Sequence, residues 1–65
     1  MNTFKIALRS GQTATIEDRR ALGDLAAQLA QEGFVVVRRI SAGYAKSVTE
    51  VAFLERAIES IEPAA

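Results

Sequence analysis

The chain has 65 residues, 49% hydrophobic and 25% charged, with eight cations balanced by eight carboxylates and no histidine, cysteine or tryptophan. That balance argues against a disordered tail or a general polyanion binder. The missing imidazole and thiol remove disulfides and most of the groups that carry metal binding and catalysis near neutral pH.

The first segment, Phe4-Lys5-Ile6-Ala7-Leu8-Arg9, alternates, so Phe4, Ile6 and Leu8 share one face of a predicted strand. Ser10-Gly11 signals a turn, and Thr13-Ala14-Thr15-Ile16 is β-branched enough to return as a second strand. A three-residue loop Ser10-Gly11-Gln12 aligns Leu8 with Ala14 and Ile6 with Ile16, which keeps the apolar residues on one face; the alternative is a linker into the following helix. From about Glu17 to Glu32 the spacing becomes helical, with Leu22, Leu25, Ala26, Leu29 and Ala30 in one stripe. Thr15 and Asp18 suggest its cap, and Gly33 its left-handed stop, with Phe34 folding back onto Leu29.

Phe34-Val35-Val36-Val37-Arg38-Arg39-Ile40 is the strongest strand pattern, and its first four residues are apolar on both faces. Such a strand needs cover on two sides, from a second helix or from another subunit. Ser41-Ala42-Gly43 reads as a turn, and residues 44–50 fit either strand or helix. Ser47-Val48-Thr49-Glu50 matches a capping box, which favours a second helix from about Val48 to Ile61. Its stripe would be Val51, Leu54, Ala57, Ile58 and Ile61, with Glu55, Glu59 and Glu62 beside it and Pro63 ending it.

Together these elements predict one compact α+β domain over residues 1–65, ordered β-β-α-β-α, with a two- or three-stranded sheet, the first strand central, packed by two helices. No apolar run approaches the roughly 18–20 residues of a membrane span, and the N-terminus lacks a secretion signal, so a cytoplasmic location is expected.

Charge is unevenly distributed. Residues 1–46 hold seven cations against four carboxylates, and residues 47–65 hold Arg56 against Glu50, Glu55, Glu59 and Glu62. Such a split can orient one copy against another. Arg38 and Arg39, as strand neighbours, point to opposite faces and cannot form one patch, so Tyr44 with Lys46 beside Arg39 is the best local candidate for nucleic acid. The glutamates are expected on an exposed helix face, a poor setting for acid–base catalysis, and neither a calcium loop nor a phosphate-cradling glycine series is present. No catalytic, cofactor or metal residue is therefore assigned, and no membrane or small-molecule partner is expected.

The opening Met1 to Ile16 resembles the first hairpin of ubiquitin-like β-grasp proteins, where a helix also follows. The end Ile61-Glu62-Pro63-Ala64-Ala65 has no diglycine tail, and few residues follow the helix for that fold's remaining strands. Glu32 to Arg39 looks like the centre of small HicA-type toxins that bind RNA, which depend on a histidine this chain lacks. No function carries over from either.

The expected function is a non-enzymatic protein–protein interaction module, a small accessory or regulatory subunit that self-associates as a homo-oligomer or docks on a larger protein. Its expected interface is Val35, Val37, Tyr44 and Phe53 for apolar contact, with Arg38 or Arg39 meeting Glu55 or Glu59 of a neighbour. The runner-up is a nucleic-acid-associated regulator using Arg9, Arg19, Arg20, Arg39 and Lys46 on phosphates.

Overall fold

A computed structural model describes residues 1–41 and 47–64. The chain runs β1 (Asn2–Leu8), β2 (Thr13–Asp18), α1 (Leu22–Glu32), β3 (Phe34–Ser41), β4 (Ser47–Leu54), a 3-10 turn (Glu55–Ala57) and β5 (Ile58–Pro63). The strands form one sheet in the order β4-β3-β2-β1-β5, and every neighbouring pair is antiparallel. This corrects the expected β-β-α-β-α domain: there is one α-helix among the described residues, the sheet has five strands, and β2 rather than β1 is central. Three strands fit after the helix, contrary to the expectation that too few residues remained.

The predicted second helix is two strands, and the reason lies in a bulge. Ile6 pairs with Ile61 and Ala7 with Ser60, but Leu8 pairs with Ile58, leaving Glu59 as an extra residue. A bulge lets residues three apart face the same side. Ile58 and Ile61 therefore both pack against the core while imitating helical spacing. Upstream, Val48, Thr49, Val51 and Phe53 favour a strand, and the full-length ladder with β3 from Phe34↔Leu54 to Ser41↔Ser47 outweighs one capping box.

The first hairpin forms with a register two residues from the expected one: Ile6 faces Ala14 and Phe4 faces Ile16. Its three-residue loop is Arg9-Ser10-Gly11, closed by Leu8 N–H to Gln12 O at 2.9 Å and Gly11 N–H to Leu8 O at 3.0 Å. Such a loop needs its last residue left-handed, and Gly11 has φ 93°. The glycine fixes where the loop starts. Because the shift is even, the buried face is unchanged.

β2 continues through Asp18, so α1 begins at Leu22 rather than Glu17, with Ala21 at its cap and no side-chain capping bond. The stop at Gly33 is left-handed (φ 79°) and its N–H donates to Leu29 O at 2.9 Å. Phe34 does not fold back; it opens β3 opposite Leu54.

Only Glu55–Ala57 separate β4 from β5, which lie at opposite edges of the sheet. Four strand spacings amount to about 19 Å in a flat sheet, whereas four Cα steps reach at most about 14 Å. The sheet is therefore coiled toward a barrel. Hydrogen bonds from Glu55 N–H to Gly33 O (2.9 Å) and from Arg9 N–H to Ala57 O (3.0 Å) hold the short turn. The concave side carries the core: Phe4, Ile6, Ala14, Ile16, Val35, Val37 and Phe53 close on Leu25 and Leu29 of α1.

Candidate interaction surface

Two features stand out on the surface, a polar notch beside the β2–β3 seam and an apolar ribbon on the convex side. The notch arises because β2 pairs with β3 only from Thr15↔Ile40 to Glu17↔Arg38, after which the chain turns toward α1. Arg20 fills the gap. Its Nε and Nη2 bind both oxygens of Asp18 at 2.8 and 2.9 Å, its Nη2 also donates to Val36 O at 3.0 Å, and its Nη1 donates to Gln28 Oε1. The guanidinium replaces the backbone donor that a longer β2 would have offered Val36. Asn2 Nδ2 donates to Arg20 O at 3.1 Å and Arg20 N–H to Asp18 Oδ1 at 2.9 Å, so the corner is tied on several sides.

The Arg20 side-chain hydrogen bonds hold the Asp18 carboxyl below its ordinary range, against the opposing pull of burial, and Asp18 in turn raises Arg20. A cleft of roughly 380 Å³ over this corner is also lined by Glu17, Arg38 and Glu50, with charges of both signs. Arg20 is thereby occupied as a structural brace.

The ribbon is built by β3 and β4. Successive residues alternate sides, so Val35, Val37 and Phe53 lie under α1, at 0%, 2% and 8% exposure, while Phe34, Val36 and Leu54 face outward at 39%, 39% and 53%. Three of the expected interface residues, Val35, Val37 and Phe53, are thus core residues in this chain. Their strand neighbours form the exposed surface. The β3–β4 pairing sets Phe34 beside Leu54, Val36 beside Ala52 and Arg38 beside Glu50 on the convex side. Glu17 lies on the far side of Arg38.

Arg38 therefore faces outward between two carboxylates, and Arg39 points to the other side beside Ile16 and Thr49, as the alternation requires. Among the described residues neither belongs to an ion pair, and the pair that forms is Arg20 with Asp18. Glu55 sits in the 3-10 turn and Glu59 in the β5 bulge, both exposed and on elements away from Arg38. The structure does not bring Arg38 or Arg39 together with either within the chain. Tyr44 and Lys46 lie outside the described residues.

A second apolar groove, roughly 350 Å³, runs between α1 and β5 and is lined by Leu22, Ala26, Leu29, Ile58 and Ile61, with Glu55 and Glu59 at its rim. One 11-residue helix does not fill the mouth of the coiled sheet. No group of three carboxylates poised for a metal ion occurs among the described residues. No helix among them is long and apolar enough to cross a membrane.

Sequence reasoning missed Arg20 as a brace and missed Glu50, Ala52 and Leu54 as surface. The signal for the first was present: Asp18-Arg19-Arg20 at the end of a strand offers a carboxylate and a guanidinium two residues apart. For the second, the helical assignment of Val48 to Ile61 rotated Leu54 into the core. Comparison with protein-family models, with curated proteins and with solved structures gives no match for this chain.

Proposed function

We propose that this chain is a non-enzymatic protein-interaction module, a small accessory or regulatory subunit that self-associates or docks on a larger protein. The observation that carries the reading is the convex side of the β3–β4 ribbon, where Phe34, Val36 and Leu54 stand exposed beside one another. A strand apolar on both sides gains its full hydrophobic stabilisation only when both are covered, and α1 covers one. The marginal core of so short a chain adds a reason for a partner to share the burial. The cytoplasm is the proposed location, which a sequence without cysteine accommodates.

Cations proposed for the nucleic-acid alternative are dispersed, with Arg9 on the first turn, Arg19 after β2 and Arg39 on the concave side, while Arg20 is committed to Asp18 and Val36 O. That distribution favours protein over phosphate backbone as partner. Sedimentation equilibrium over a wide concentration range tests the reading. The mass average should climb with concentration, and a strictly monomeric, folded species at millimolar concentration removes self-association.

A further inference from the structure

We infer that the occupant of the convex ribbon is a second copy of the same chain, docked through a two-fold axis that runs along the strands between β3 and β4. The inference rests on the self-association reading above and specifies its surface and symmetry. Rotation about an axis lying in the contact plane and parallel to the strands keeps position along the ribbon, exchanges β3 for β4 and turns the surface onto itself. Each cross-strand pair of the ladder then meets its own counterpart. Phe34 lies over Leu54 of the second copy, Val36 over Ala52, and Arg38 over Glu50, each twice by symmetry.

The match is chemical as well as geometric. Apolar rows fall on apolar rows, and the charged row falls on its complement, with Arg38 and Glu50 both exposed and neither held in an ion pair with another described residue of the same copy. An axis along the β2–β3 seam would also pair Arg38 with Glu17, but it would lay Ile40 on Thr15 and leave Phe34 and Val36 beyond the paired part of β2 with nothing opposite. Of the two axes, the one between β3 and β4 gives each of these rows a complementary partner. Two eight-residue strands offer a footprint of only about 250 Å² in plan, well under the roughly 800 Å² per partner of a standard interface. The dimer is consequently of the weak, transient class.

A charge-exchange experiment tests this. The Arg38→Glu variant presents glutamate at both positions, and the Glu50→Arg variant presents arginine at both, so each repels its own kind. Each should dimerise at least about tenfold more weakly than the unaltered chain. Mixed together, they should form a heterodimer of near-normal affinity, because both contacts are again opposite in sign. Circular dichroism on each variant establishes that it is folded. Rescue on mixing cannot come from charges within one copy, and it supports the proposal. If the unaltered chain dimerises but both variants dimerise equally well, or mixing restores nothing, the ribbon axis is wrong and self-association stands. An unaltered chain that stays monomeric at millimolar concentration overturns both. Should either variant fail to fold, Leu54→Asp takes its place: it adds charge at an exposed apolar row, and undiminished dimerisation of that variant rejects the ribbon.

Discussion

The two sides of the β3–β4 ribbon differ in burial far more than in composition. Val35, Val37 and Phe53 face α1 and are almost wholly enclosed, whereas Phe34, Val36 and Leu54, of the same chemical kind and on the same strands, remain open to solvent. Side-chain identity is therefore a poor guide to which side is the core. What decides it is the supply of covering elements: among the described residues a single 11-residue helix delivers Leu25 and Leu29 to the concave side, and no described element covers the convex one.

The sharpest way to break this contrast is at its covered side. Leu25 is fully enclosed and central to the core, so Leu25→Ala should cost about 2–5 kcal/mol, a large share of the stability of a domain this size, read as a much lower midpoint in urea titration. Val36→Ala on the open side should shift the same midpoint by only a few tenths of a kcal/mol, and equal losses at both positions would erase the distinction.

Next in size is the brace at the sheet seam. Arg20→Ala strips Asp18 of its bidentate partner and Val36 O of a donor, a loss of about 2–3 kcal/mol, measurable by the same denaturation. The pair also carries a pH signature. Asp18 is ionised more easily in the folded chain than in the unfolded one, so its contribution is fully present above the ordinary carboxylate pKa. It disappears as pH falls through the lower, folded value. Acid titration of the Arg20→Ala variant should therefore show a flatter loss of stability below about pH 4 than the unaltered chain.

The smallest effect sharpens the contrast from the helix. Gly23 lies on the exposed side of α1 with nothing within 4 Å of an added Cβ and without a positive φ. Gly23→Ala should raise stability by about 0.5–1 kcal/mol, seen as a higher thermal midpoint, and leave dimerisation unchanged. A change in association on this substitution would place the helix, not the ribbon, at the contact.

Much of the first half of the chain was legible in its letters. The alternation in Phe4 to Leu8, the β-branched return of Thr13 to Ile16, and the helical run ending at Gly33 all depend on local periodicity, which is present whatever the rest of the fold does. Where the helix began was less legible, because Glu17 and Asp18 suit a first turn equally well, and the brace from Arg20 that holds them in β2 involves β3, sixteen residues away. The last third was misread for a specific reason. A bulge at Glu59 and an open-faced Leu54 together produced apolar spacing of three and four, which is the mark of a helix. The surface was half visible: a strand apolar on both sides announced a missing cover, but its neighbours could be named only once β4 was known to lie alongside it.

The pairing of β1 with β5 brings Phe4 opposite Pro63, and Ala64 N–H donates to Thr3 O at 3.0 Å, so the last strand meets the first after nearly the whole chain has been threaded. Closing a loop that long carries an entropic cost before any contact repays it. Acquisition of the native state should accordingly take on the order of milliseconds to seconds, slow for 65 residues. Rapid-mixing refolding would show this terminal seam as the last to zip shut, and native-state hydrogen exchange would show it as the first to open.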